Sequence, residues 1–509
     1  MSHAVRAGAV VGVEGISVEV EVDLVRRLPK ITVVGLPAGC VRESTERVRS
    51  AILASGFDFP KFRITINLAP ADLKKDGTAF DLPIAVGILA AAGEVPQEAV
   101  DRCMFAGELS LDGRLRSIRG ALPLAMMASD TGCASMVLPI ACAGQGALVP
   151  GLQVWAAATL KDVAAWLNGQ GTLQEARANA PRPEHSTVDM ADVKGQPLAR
   201  RALEISAAGG HNLLMVGPPG VGKTMLAARL ATILPAMAFL EALEVTRIHS
   251  VAGLVPDGVG LLERRPFRAP HHSITPAGLV GSARLQPGEI SLAHRGVLFL
   301  DEVPEFRRGV LELLRAPLES REIWITRAAG SVRFPAACAL VAAANPCPCG
   351  YLGHPTRACR CLPSEVARYQ GKLSGPLMDR IDLHVPVEPL ETEVLFQTDL
   401  AEDSKTVRGR VEAARRFQLA RYEGESYRCN AELGGPAIRQ AAELSPRAKS
   451  MLWTAVDSLS LSGRAHDRLL KVARTIADLE ANPRVEFQHL AEAIGLRVTQ
   501  NAEVSKCSA

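Results

Sequence analysis

Two short stretches carry side chains that together could bind a nucleoside triphosphate and cleave its terminal phosphate. The first is Gly217-Pro218-Pro219-Gly220-Val221-Gly222-Lys223-Thr224. Closely spaced glycines let backbone N–H groups close around phosphate oxygens, the lysine reaches the β- and γ-phosphates, and the threonine hydroxyl ligates Mg²⁺. The second is Asp301-Glu302, at the end of the apolar run Val297-Leu298-Phe299-Leu300. There Asp301 can hold the Mg²⁺ shell and Glu302 can polarise the attacking water. Alone, the first stretch is a Gly-Pro turn and the second a helix cap. Together they supply both halves of a site for ATP hydrolysis.

Such a site needs a sheet that delivers both stretches to one edge. Leu213 to Val216 enters the first as a buried strand, and Met225 to Leu234 leaves it with helical spacing, the strand-loop-helix context of a P-loop. The continuous apolar runs Val297–Leu300 and Ala339–Ala344 read as buried parallel strands, whose ligands bind outside the carboxyl ends. The latter run ends at Asn345, whose side chain there can sense a γ-phosphate or orient water; on its own it would be a turn residue.

With 509 residues, 48% hydrophobic and 22% charged, the chain is expected to be globular, with about three domains. No apolar run approaches the length that crosses a bilayer and the N-terminus lacks a signal-peptide pattern, so the expected place is the cytoplasm, with no membrane partner. A net charge of +3 is too small to argue for nucleic acid by itself; any polyanion contact must be local. The eleven cysteines are an odd number, and those outside one cluster suit buried reduced thiols better than a disulfide framework.

Along the chain, residues 1–170 alternate apolar and polar side chains over Ile16–Val22 and Phe62–Leu68, with helical stretches at Glu43–Ala54 and Leu82–Ala92, which predicts an α+β domain. Residues 171–189 read as a linker containing Pro181 and Pro183. Residues 190–390 carry the nucleotide motifs on an α/β core. In 391–509 helices dominate, with Leu469, Val472, Ala473, Ile476 and Leu479 on one apolar face.

The P-loop, the acidic pair and Asn345, in this order, resemble the AAA+ ATPases, with Asn345 as sensor 1. Three further segments narrow the resemblance: Arg265-Pro266-Phe267-Arg268-Ala269-Pro270-His271-His272-Ser273, Pro287 to Gly296, and Ser374 to His384. They are similar to the magnesium-chelatase-like AAA+ ATPases, and within that group to the ComM-type competence helicases. The resemblance implies that Arg380 is an arginine finger reaching into a neighbouring subunit's site; a structural ion pair with Asp379 or Asp382 is the alternative. It also implies an all-α C-terminal lid with a sensor-2 arginine, Arg464 first and Arg468 second. A finger acting in trans requires a homo-oligomer, expected to be a hexameric ring.

Cys347, Cys349, Cys359 and Cys361 follow Asn345 in the pattern Cys-x-Cys-x9-Cys-x-Cys. Four thiolates in a Gly- and Pro-containing loop suit structural Zn²⁺, with His354 as a substitute ligand. A redox pair or unligated thiols are the alternatives, set against the missing Cys-x-x-Cys and the clustering. In the N-terminal domain, Lys75 to Asp81 and Ala106 to Gly120 resemble the proteolytic domain of Lon-type proteases. The nucleophile position falls on Ala79 and the lysine position on Leu124, so a Lon-like fold without peptidase activity is expected.

Between the acidic pair and sensor 1, Arg321 to Phe334 reads as strand-turn-strand. The resemblance implies a hairpin facing a ring's pore, with Arg327 as DNA contact and Arg321 and Arg333 in support; solvated surface arginines are the alternative. Arg268, His271 and His272 are assigned to the other pore-facing insert, or to a loop packed on the core. Two functions then stand: an ATP-dependent ring motor on single-stranded and branched DNA that drives branch migration during recombination in natural transformation, or a chaperone-like ATPase that remodels a protein, as the magnesium-chelatase motor subunit does. No DNA-reading module is present, so binding would be independent of sequence.

Overall fold

The first domain builds a mixed sheet in which the strands Glu14–Val25 and Arg63–Ala69, with their alternating residues, each offer one apolar face. The computed structural model describes residues 3–72, 75, 77–178, 188–282, 285–327, 330–373, 375–390, 401–458 and 461–498. The first eight sheet-forming strands are β1 (His3–Val11), β2 (Glu14–Val25), β3 (Lys30–Val34), β4 (Arg63–Ala69), β5 (Cys103–Phe105), then, after a small ribbon of β6 (Glu108–Leu109) and β7 (Leu115–Arg116), β8 (Ser135–Pro139), β9 (Gln153–Ala157) and β10 (Gln174–Glu175). They are ordered β10-β9-β8-β5-β1-β2-β4-β3. Pairing of Val20 with Leu68 and of Val22 with Ile66 puts the buried side chains of β2 and β4 on one face. Burying each such side chain is worth about 1.5–3 kcal/mol.

The helix Asp81–Ala92 covers that face, and the helix Ala121–Asp130 packs into a second apolar cluster with Met104, Met136 and Leu138. Leu124 belongs to that second cluster, and partly buried Ala79 packs against it. The linker expected over 171–189 begins as structure: β10 adds to β9, with Gln174 opposite Ala156. Backbone pairing decides this, since the strand is only two residues long and has no apolar alternation to announce it. Residues 179–187 of that segment lie outside the described residues.

The core sheet is parallel, with β11 (Leu213–Val216), β12 (Phe267–Arg268), β13 (Val297–Leu300), β16 (Ala339–Ala344) and β17 (Leu383–Pro386) in the order β12-β13-β16-β11-β17. β14 (Glu322–Arg327) and β15 (Gly330–Pro335) form a separate antiparallel hairpin. The described residues from 401 onward form helices, and the boundary expected at 390/391 adjoins undescribed residues. These helices share one apolar cluster with the core, in which Leu469, Val472, Ala473 and Ile476 are buried. Among the described residues no helix is long and apolar enough to cross a membrane.

Candidate active site

The register of the core sheet gathers the first motifs. Val216 lies opposite Ala344, and Leu300 opposite Ala342, so the P-loop, Asp301 and Asn345 all leave the sheet at its carboxyl edge. The loop needs its glycines. Gly220 and Gly222 have φ of +83° and +89°, in the left-handed region that side chains avoid, and a Cβ on Gly217 would stand 2.1 Å from the Val387 carbonyl oxygen. Val221, half-buried, packs against the core cluster. The helix Lys223–Ile233 starts at Gly222 with no side-chain cap, which leaves its first N–H groups to an anion.

Lys223 is buried, and its Nζ donates to the carbonyl oxygens of Gly217 (2.7 Å) and Pro218 (2.8 Å) and to Asn345 Oδ1 (3.0 Å). Burial pulls its pKa down, against the opposing pull of Asp301 and Glu302. Thr224 Oγ1 donates to Asp301 Oδ2 at 2.7 Å, which brings the two candidate Mg²⁺ ligands into contact. Glu302 is exposed with φ +49°, an uncommon conformation for a residue with a side chain and one that turns it out of the strand line. A hydroxyl and a carboxylate for a cation, an ammonium and free N–H groups for phosphate, and a solvent-facing carboxylate for water therefore converge.

The remaining candidates stand elsewhere. Arg380 and Asp382 lie just before β17, and the Asn212 side chain, just before β11, donates to the Arg380 carbonyl at 2.8 Å. The P-loop follows β11, so a strand of about 13 Å separates Arg380 from its own chain's P-loop. Arg380 pairs with Glu319 and donates to the Pro376 carbonyl at 2.7 Å. Arg464 is 4.0 Å from Glu319 and Arg468 is 3.5 Å from Asp382. All of them border a cleft of about 740 Å³ between core and helical region. Burial pushes the Asp382 carboxyl up, but His211, Arg468 and Lys471 hold it down to about 2. The helix Gly463–Leu479 thus docks at the end of the sheet remote from this chain's P-loop, because His211 and Asp382 anchor it through Thr475 (2.8 Å) and Arg468. Arg464 is not beside the phosphate site of its own chain. Sequence reasoning missed Glu319 and Asn212, for which spatial neighbourhood is the only signal.

The hairpin alternates cleanly. Ile323, Ile325, Val332 and Phe334 are buried, while Trp324, Thr326, Ser331 and Arg333 face out. Arg327 ends β14 opposite Gly330; its side chain lies outside the described residues. Arg333 pairs with Glu322 (3.0 Å). Arg321 sits at the hairpin base, not on its outer face, and pairs with Glu432 at 2.5 Å, because φ +61° turns it toward the helical region. Trp324, 63% exposed and opposite Arg333, was also missed; strand alternation alone would have flagged it. Arg268 is clamped by Glu289 (2.6 and 2.7 Å), while the rings of His271 and His272 stand 4.0 Å apart.

The four thiols beyond Asn345 have ligand atoms within 4.8 Å of one another. Cys347 lies 3.4 Å from Cys349 and 3.6 Å from Cys359, close to the sulfur separation of about 3.8 Å in a tetrahedron of Zn–S bonds. Backbone N–H groups of Arg360 and Tyr351 hold Cys349 down to about 6. His354 stands outside this set, its Nδ1 accepting from the Thr356 and Arg357 amides. The donor set suits zinc.

Family models described as magnesium chelatase, subunit ChlI, match residues 189–395 and 20–142, and one for the C-terminal part of that subunit matches 401–497. Competence protein ComM of Haemophilus influenzae is 44% identical over 501 residues, 96% of each chain. The chain belongs to the magnesium-chelatase-like AAA+ family, as a ComM-type member. An uncharacterized protein of Mycobacterium tuberculosis is 43% identical over 493 residues, 96% of this chain and 97% of that one. The magnesium-chelatase 38 kDa subunit of Cereibacter sphaeroides is more distant, 26% identical over 59% of this chain and 93% of its own. Membership in the magnesium-chelatase-like AAA+ family implies ATP and Mg²⁺ as the ligands of the P-loop site, which its donors fit.

Proposed function

We propose that this chain is the subunit of an ATP-driven ring, a hexamer, that moves on single-stranded and branched DNA without sequence preference and drives branch migration in recombination during natural transformation. The observation that supports it most is the split of the ATPase groups between the two ends of one sheet. Lys223, Thr224, Asp301, Glu302 and Asn345 would hold and cut ATP at the carboxyl edge, while Arg380, with Arg464 or Arg468 beside it, would serve the site of the next subunit. Mg²⁺ held by Thr224 and Asp301 supplies charge neutralisation at the phosphates. The helices of 401–498 then act as a lid for the neighbour, and the N-terminal domain is a Lon-like fold with apolar Ala79 and Leu124 where a nucleophile and a lysine would stand.

DNA enters this reading through the hairpin and through the competence name of a 44% identical relative. Arg327 and Arg333 contact phosphate, and Trp324 offers a stacking face for a base. Arg321, held by Glu432, serves the subunit frame. The second reading, remodelling of a protein, rests on the chelatase subunit, which accounts for 59% of the chain. ATP hydrolysis measured with no DNA, single strands, duplex and four-way junctions separates the two; a wild-type protein that neither binds nor moves a junction is no DNA motor. Arg327→Ala should keep basal hydrolysis and assembly near wild type, weaken junction binding and flatten its salt dependence. An unchanged salt titration would remove Arg327 from the interface.

The thiol cluster is read as a closed structural zinc site. Purified protein should carry about one zinc per chain. Metal analysis of the Cys347→Ser/Cys361→Ser double variant should find it lost, and retention would refute the site.

A further inference from the structure

The turn that joins β1 to β2 contradicts the usual rule for hairpin tips, which face water. It consists of Gly12 and Val13, and Val13 is only 2% exposed. Its apolar cluster is not that of its own sheet. Val13 lies in the cluster formed by the core with Ile323, Ile325, Val332 and Phe334, the buried face of the β14–β15 hairpin. Gly12 is closer still. With φ +63°, a Cβ there would stand 2.0 Å from Val332 Cγ1, so only glycine lets the hairpin come this near.

The domain that carries this turn is also fixed to the core at separate points. Glu14 pairs with Arg247 at 3.3 Å on the helix Phe239–Ala252. Further along that helix, the Ser250 carbonyl accepts from the Gly120 amide at 2.9 Å, and buried Ser250 Oγ donates to Gln145 at 2.6 Å. The Gly258 amide donates to the Ala141 carbonyl at 2.8 Å. The turn is therefore held from behind while it presses on the hairpin.

We infer that the N-terminal domain is the seat of the β14–β15 hairpin, and that Gly12 and Val13 are positioning residues that set how the hairpin meets DNA. The DNA part rests on the function proposed above; the seating part does not. The seat gives this domain, whose Lon-like sites hold Ala79 and Leu124, a task in the motor: it fixes the outer face that carries Trp324 and Arg333 against the load of a moving strand.

The test uses the full chain. Gly12→Ala pushes a methyl into Val332, whereas Gly132→Ala, at φ +75° with nothing within 4 Å, imposes the same kind of backbone strain in the same domain without a neighbour. Gly12→Ala/Val332→Ala takes away the methyl that is struck. Expected for Gly12→Ala are faster amide exchange over residues 322–327 and 330–335, near wild-type basal ATP hydrolysis, and DNA-stimulated hydrolysis reduced about tenfold. Gly132→Ala should show neither hairpin change, and the double variant should return to the level of Val332→Ala alone. Unchanged hairpin exchange in Gly12→Ala overturns the seat. Unchanged DNA stimulation in a protein whose wild type responds to DNA overturns the positioning role of Gly12 and Val13 toward DNA. If exchange rises while the wild type ignores DNA, the seat stands and the DNA reading of the hairpin falls.

Discussion

Arg380→Ala should assemble normally and lose about three orders of magnitude in kcat for ATP hydrolysis, the effect expected when a charge that steadies the γ-phosphate in the transition state is removed. In this chain Arg380 pairs with Glu319 and donates to the Pro376 carbonyl, so its loss leaves a carboxylate and a carbonyl behind, both on exposed residues, and folding should survive. The decisive measurement is mixing. Lys223→Ala keeps the finger and lacks the phosphate contact, and Arg380→Ala is its complement. In a ring assembled at random from equal amounts, about one interface in four joins an intact P-loop to an intact finger. Activity should return toward that fraction of wild type. Exchange of subunits is shown separately with labelled chains; without any rescue under exchange, the finger does not act in trans.

The second large effect separates binding from chemistry. Lys223→Ala should weaken ATP binding by about 10- to 100-fold, the worth of a charge-assisted contact in a buried position. Glu302→Gln should hold ATP within about twofold of wild type while hydrolysis falls by at least about 100-fold, because the amide keeps the shape and cannot accept a proton from water. Equilibrium titration with a fluorescent nucleotide and single-turnover hydrolysis check the pair. If both variants lose affinity equally, Glu302 holds nucleotide and another group activates water.

The P-loop and the acidic pair were legible because each is a local pattern whose geometry follows from a few neighbouring residues: glycines that need positive φ, and a strand that ends in carboxylates. The strands Ile16–Val22 and Phe62–Leu68 and the face of Leu469, Val472, Ala473 and Ile476 were legible for the same reason. Arg464 was not. Its helix announces its own apolar face, but where that helix docks is decided by the contact of its Thr475 with His211, backed by Asp382, and these two partners are distant in sequence. Arg321 was misplaced by one backbone angle, and β10 by a pairing too short to leave a periodic trace. Glu319 and Asn212 belong to no pattern, since they matter through what they touch.

β16 has a further consequence. Only three residues separate the end of β15 from its start, and Asn345 stands at its far end, so hairpin and Asn345 are at two ends of one strand of about 20 Å. Flanked by β13 and β11, it is held by backbone pairing on both sides. A tug on the hairpin would reach the Lys223–Asn345 contact without crossing a hinge, so if the hairpin grips a strand as proposed, turnover should slow under an opposing force on that strand.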